Sequence, residues 1–178
     1  NPRIFAAGDV CTRYKFTHAA DAMARIVIQN ALFFGRKKAS ALTIPWATYT
    51  DPEVAHVGLY ESEAKKQGHD VVTLTLPLSD VDRAVLDGDT EGFARVHADA
   101  RTGQILGATM VAGHAGEMIG EMALAMTLGV KLGALGGVVH PYPTQSEAWK
   151  KLGDQWNRRR LTPAVRSVFN RVLAWRRR

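Results

Sequence analysis

The sequence predicts an α+β fold: an antiparallel sheet with helices packed on it, preceded by a separate strand-helix unit. Three observations carry that expectation. Residues 93–98 and 104–111 are strand-like runs flanking Asp99-Ala100-Arg101-Thr102-Gly103, the composition of a β-hairpin. Residues 71–76 are β-branched and apolar, which suits a pleated, half-buried surface. Residues 116–128 form a strongly apolar helix that needs a surface to bury against. With 178 residues, 46% of them hydrophobic, the chain suits one ordinary domain plus attachments.

The elements follow in chain order. Residues 4–7 form a short apolar run closed by Gly8-Asp9, read as a buried strand ending in a tight turn. A helix is expected next, with Thr17 as N-cap and Asp21 in its first turn. Ala20, Met23, Ala24, Val27 and Ala31 form its apolar stripe, and Gly35 is its stop. Residues 36–41 read as a linker and 46–50 as a strand. Residues 61–67 read as a short helix ended by Gly68. Beyond the hairpin and the apolar helix, residues 144–152 form another helix, started by the Thr144-x-x-Glu147 capping box and ended by Gly153. In the tail, Thr162 is a good N-cap and Pro163 a good first helical residue. Val165, Val168, Phe169, Val172 and Leu173 recur at helical spacing against Arg166, Asn170 and Arg171.

Charge is unevenly placed. Residues 1–149 hold 13 Lys or Arg against 16 Asp or Glu, whereas residues 150–178 hold 10 against 1 and end in Arg176-Arg177-Arg178. The net +6 therefore belongs to the tail, and nucleic-acid binding by the whole chain does not follow from it. The basic amphipathic tail either lies on an anionic membrane surface or docks on its own protein, with docking preferred. The single Cys11, read as an ordinary buried thiol, excludes an intrachain disulfide and a Cys-based zinc cluster and favours a reducing, cytoplasmic compartment. No metal site is expected, since Met118, Met122 and Met126, spaced by four, read as core packing. Asp51-Pro52-Glu53 reads as a turn rather than a catalytic carboxylate pair.

Four segments together resemble the flavoprotein pyridine nucleotide-disulfide oxidoreductases, the family of dihydrolipoamide dehydrogenase, glutathione reductase and mercuric reductase. These are Ile4-Phe5-Ala6-Ala7-Gly8-Asp9, the Trp46 to Leu59 stretch with its Thr-Asp-Pro-Glu and Val-Gly-Leu elements, Gly113-His114-Ala115-Gly116-Glu117, and His140-Pro141-Tyr142-Pro143-Thr144-Gln145-Ser146-Glu147. The resemblance covers roughly residues 1–155. It implies that residues 1–40 are the end of an FAD-binding domain, that 41–155 are a dimerisation domain, and that 156–178 are an added tail. It also implies that the chain, opening on Asn1, is a fragment lacking the Gly-x-Gly-x-x-Gly motif and the redox cysteine pair. Expected partners are a second copy of the chain, in a homodimer, and a small-molecule substrate, with no nucleic acid. FAD and NAD(P)H belong to the intact protein, and none is expected tightly bound to the fragment.

The resemblance also implies roles for particular residues. Gly8 and Asp9 contact the flavin's ribityl chain. Thr17, His18 and Ala19 aim a helix N-terminus at the flavin, through backbone rather than side chain. In the last motif, Tyr142 falls where dihydrolipoamide dehydrogenases carry their acid/base histidine, as it similarly does in mercuric reductases. A phenol of reference pKa near 10 is a poor base but a good hydroxyl donor to a thiolate. Glu147 either orients that residue or caps the helix, and His140 has a structural or water-linked role. The chain lacks the C-terminal cysteine pair of mercuric reductases. The alternative to an oxidoreductase is a non-enzymatic membrane- or nucleic-acid-binding module built on the basic helix.

Overall fold

The computed structural model describes residues 1, 3–159 and 161–177. Pro2, Arg160 and Arg178, the last of which ends the basic tail, lie outside the described residues. Five strands form one wholly antiparallel sheet: β1 (Pro45–Thr48), β2 (Glu53–Gly58), β3 (Val71–Pro77), β4 (Phe93–Asp99) and β5 (Ile105–Ala112), in the order β1-β2-β5-β4-β3. The strand expected at 46–50 is the first arm of a hairpin, and its second arm, β2, was not foreseen as a separate element. Asp51-Pro52 makes its turn, so the residues that broke the strand pattern are the ones that reverse the chain.

One face of the sheet carries Ala55, Val57, Val96, Ala108 and Met110, all fully buried. Onto it pack α4 (Ala115–Thr127) and α6 (Glu147–Arg158). Ile119, Met122 and Ala125 of α4 and Ala148, Trp149 and Leu152 of α6 complete the core. Met122 is fully buried and Met118 and Met126 pack against it, so the methionine stripe is packing. Glu53 accepts a hydrogen bond from the Gly116 N–H at 2.9 Å, tying the start of α4 to β2, a structural use of that carboxylate. Three short helices complete the set. Of these, α3 (Asp82–Asp87) and α5 (Leu132–Leu135) fall between the predicted elements, while α2 (Glu61–Lys66) matches its expectation.

Gly68 and Gly153 show how one signal reads two ways. Gly68 follows α2 at φ +86° with nothing near its missing side chain, a true helix stop. Gly153 lies inside α6, where a Cβ would meet the Gly136 N–H and the Leu132 carbonyl. It lets α5 and α6 approach closely, so α6 runs on to Arg158 instead of ending near 152. The capping box is also corrected: the Thr144 hydroxyl donates to the Pro141 carbonyl at 2.8 Å, and the helix starts after Ser146 without a side-chain cap.

The flanking parts depart further. Residues 4–7 are not a strand; Ile4 is 72% exposed, and none of the described strands lies beside them to pair their backbone. Helix α1 (Thr17–Leu32) is capped by Phe16 rather than Thr17, and Asp21 sits past the first turn in an ion pair with Arg25. Of its predicted stripe Met23 is buried and Ala31 exposed, and the helix ends at Leu32, ahead of Gly35. Cys11 is exposed, with its thiol donating to the Gly8 carbonyl at 3.3 Å. In α7 (Pro163–Arg176) the Thr162 hydroxyl accepts from the Val165 N–H as expected. None of its described residues is buried, so its apolar face does not dock on the rest of this chain. No described helix is long and apolar enough to cross a membrane.

The second face of the sheet holds two nearly enclosed imidazoles. His56 bridges the Thr109 hydroxyl at 2.9 Å and the Gly58 carbonyl at 3.1 Å and stacks on Tyr60. His97 donates to the Thr73 hydroxyl at 2.8 Å, which donates in turn to Glu61. Burial is the main cause that lowers the pKa of both rings. A base whose folded pKa lies below its unfolded value of about 6.5 destabilises the fold as pH falls through that value, because the unfolded chain then binds the extra proton. Stability is therefore expected to be full above neutrality and to fall in acid, by up to about 1.4 kcal/mol per pH unit per ring. Denaturant melts between pH 8 and 5 check this, and a His56→Gln, His97→Gln variant as acid-sensitive as the parent would assign the effect elsewhere.

Candidate functional site

The C-terminal motif lies on the segment joining α5 to α6, and each of its polar residues is held by a different element. His140 is anchored inward: its Nε2 lies 3.1 Å from the Glu121 carboxylate of α4, its Nδ1 lies 3.3 Å from the Val138 carbonyl, and its side chain is 6% exposed. A ring engaged at both nitrogens fixes the loop. Tyr142 points outward, 70% exposed, and its hydroxyl donates to Asp82 Oδ2 at 2.9 Å. The other carboxylate oxygen of Asp82 lies 3.6 Å from Lys151 Nζ, and that ammonium also donates to the Asp80 carbonyl at 2.7 Å.

The hydrogen bond to Asp82, followed by that carboxylate's charge, raises the Tyr142 pKa above the ordinary phenol value. The side chain is therefore neutral at physiological pH and is no general base. Its one proton goes to Asp82, whereas the sequence reading had it donated to a thiolate. What the exposed oxygen offers is its lone pairs.

Glu147 neither caps α6 nor orients Tyr142. Glu147 Oε2 and the neighbouring Gln145 Oε1 are buried with no hydrogen-bond partner among the described residues. A buried acceptor left without a donor costs about 1–3 kcal/mol. Among the described residues His140, Tyr142 and Glu147 share no hydrogen bond, and Asp82, Glu121 and Lys151 are the partners that sequence reasoning missed. Asp82 is 60 positions from Tyr142 and Glu121 is 19 from His140, and no local pattern links such pairs.

At the other end, Gly8 is buried at φ +79°, and a Cβ there would lie 3.2 Å from that of Ala20, so the turn sits tightly on α1. Asp9 is exposed and its backbone carbonyl accepts from Lys15 Nζ at 3.0 Å, which leaves the carboxylate open. Helix α1 has no side-chain cap, so the N–H groups of Thr17, His18 and Ala19 are free of a capping side chain. The His18 ring is occupied, bonded to the Pro45 carbonyl at 2.7 Å and stacked on Phe16, which leaves its backbone as the available group. Ala19 is buried. A cavity of about 370 Å³ opens beside this helix end, lined by His18, Ile44, Trp46, Tyr49 and Gly116. The uncapped end of a 16-residue helix and the apolar cleft beside it have the chemistry to take a flat ring system that develops anionic charge, while Asp9 lies outside the cleft lining.

Comparison with known proteins gives a consistent picture. Residues 44–152 match the family described as pyridine nucleotide-disulphide oxidoreductase, dimerisation domain. A mercuric reductase of Bacillus cereus is 37% identical over 150 residues, covering 84% of this chain and 24% of that protein. A dihydrolipoyl dehydrogenase of Mycoplasma pneumoniae is 37% identical over 147 residues, covering 82% of this chain and 32% of that protein. Among solved structures, the HOCl-induced flavoprotein disulfide reductase RclA of Escherichia coli superposes with a TM-score of 0.77 at 28% identity, over 85% of this chain and 35% of that one. The chain thus spans a quarter to a third of the length of these relatives.

Proposed function

Because the chain belongs to the pyridine nucleotide-disulphide oxidoreductase family, as its dimerisation domain, we propose that it forms the dimer contacts and the partner-facing half of the active site of a larger FAD-dependent NAD(P)H oxidoreductase. The observation that carries this reading is the exposed Tyr142 beside the two buried, unpartnered acceptors of Gln145 and Glu147. These features support a site that a second chain would complete. The outer face of α4 supports a homodimer: Leu124 on it and Leu128 just past its end are 61% and 69% exposed, and Glu121 of the same helix grips His140 at the motif.

When bound, FAD would relay electrons from NAD(P)H to a cysteine pair supplied outside this chain. Gly8 and Asp9 would hold its ribityl hydroxyls, and the amides of Thr17, His18 and Ala19 would stabilise charge on its ring. Across the dimer, Tyr142 would present its phenol to the reacting sulfur or substrate, with His140 fixing the loop and Glu147 receiving a donor from the other subunit. The Pro141-Tyr142-x-Thr144-x-x-Glu147 motif supports a small-molecule substrate, as in mercuric reductase-like or dihydrolipoyl dehydrogenase-like enzymes. We keep the cytoplasm as the compartment, in line with the exposed, unpaired Cys11. The membrane- or nucleic-acid-binding alternative is not favoured, since the family match covers residues 44–152 and the basic helix α7 lies outside it.

The test is expression of this chain alone and joined to its upstream coding sequence. Alone, it is expected to sediment as a dimer and to purify colourless, since half a cofactor cradle does not retain FAD. Joined, it is expected to be yellow and to reduce its flavin with NAD(P)H. A strict monomer at micromolar concentration, or a longer protein without flavin, would overturn the reading.

A further inference from the structure

We propose that Asp82 is a positioning residue for Tyr142, holding the phenol so that its oxygen faces the partner subunit as a hydrogen-bond acceptor. The inference rests on the reading of Tyr142 as the partner-facing group of the active site. Tyr142 stands 70% exposed on a loop, and apart from Asp82 no described side chain bonds its hydroxyl. Without a fixed partner such a ring samples several rotamers. Asp82 opens α3, and its two oxygens are divided: Oδ2 takes the Tyr142 proton at 2.9 Å and Oδ1 faces Lys151 Nζ at 3.6 Å. Lys151 is itself tied to the Asp80 carbonyl at 2.7 Å, so the carboxylate is oriented from α6 and the phenol from the carboxylate.

The chemistry follows from the direction of that one proton. A phenol donating to a carboxylate gains electron density on oxygen and keeps its lone pairs outward. It can then accept from a thiol S–H, or meet a cationic acceptor, without reorganising. To donate to a thiolate it must first leave Asp82. The charged groups around the phenol are Asp82 of α3, with Lys151 of α6 on its far side, and Glu147 of α6. Both carboxylates favour the neutral phenol, in keeping with its raised pKa.

The experiment has two readouts. The 178-residue chain, labelled with 13C at tyrosine Cζ, is titrated by NMR, the Tyr142 signal being assigned by its loss in Tyr142→Phe. The Asp82→Asn variant, nearly isosteric and at an exposed position, is expected to lower the Tyr142 midpoint toward the ordinary phenol value, and Asp82→Glu to keep it raised. In the flavin-loaded protein carrying the upstream sequence, Asp82→Asn is expected to lower kcat about tenfold while leaving KM for NAD(P)H unchanged, and Asp82→Glu to restore most of it. An unmoved midpoint in Asp82→Asn overturns the proposal. So does parent-like turnover of Asp82→Asn in an enzyme that Tyr142→Phe slows, and there the active-site reading survives. If Tyr142→Phe itself turns over at the parent rate, the active-site reading fails and the positioning role goes with it.

Discussion

Replacing Tyr142 with phenylalanine is expected to leave flavin binding intact and to slow the step after flavin reduction by about ten- to a hundredfold. The ring is retained, so the packing of the loop, which His140 and Glu121 secure independently, is undisturbed. What is lost is the phenol oxygen that would meet the reacting sulfur or substrate, and a hydrogen bond to a charged group is worth about 1.5–3 kcal/mol. A loss of that size felt only in the transition state gives the stated factor. Stopped-flow absorbance separates the two phases: reduction of flavin by NAD(P)H should keep its parent rate while reoxidation by the acceptor slows. Tyr142→His should raise turnover of small disulfides, because an imidazole titrates near neutrality where the phenol does not. Parent-rate reoxidation in the phenylalanine variant with every acceptor tried would reduce Tyr142 to a surface aromatic.

The largest stability effect is expected at Trp149. Its side chain is fully enclosed between α6, α4 and the sheet, and its indole N–H donates to the Met118 carbonyl at 3.3 Å. Truncation to alanine removes the largest side chain of the core and leaves a cavity, a change that costs about 3–5 kcal/mol. Against a total stability of about 5–15 kcal/mol, that should move the denaturant midpoint far down or leave the chain partly unfolded at 25 °C. Trp149→Phe, which keeps most of the apolar volume and gives up the hydrogen bond, should lose markedly less. Equal losses in the two variants would mean that the indole hydrogen bond rather than core volume dominates.

Several signals that depend on neighbouring residues were legible, although the cap and stop expected of α1 at Thr17 and Gly35 were not borne out. The Asp99 to Gly103 turn, the β-branched run of β3, the apolar stripe of α4, the left-handed stop at Gly68 and the Thr162-Pro163 cap of α7 all depend on groups within a few residues of one another, and all appear in the structure. The motif carrying Tyr142 was also legible, because a run of eight residues carries its own chemistry.

The rest was decided by contacts between distant segments. Residues 4–7 have the composition of a strand, yet a strand exists only beside another, and none of the described strands is there to pair with them. Gly153 carries the same sequence signal as Gly68, but the close approach of α5 makes it a packing position inside a helix. Thr144 and Glu147 have the spacing of a capping box, which the loop's own bond to Pro141 overrides. The direction of the Tyr142 proton depends on Asp82 and Lys151, which only the folding of α3 and α6 around the loop brings within reach. The sequence by itself determined which residue types stand at the site and the elements that carry them. Tertiary structure alone decided which way their hydrogen bonds run, because a side chain's donors and acceptors are paired by proximity in space and not by spacing along the chain.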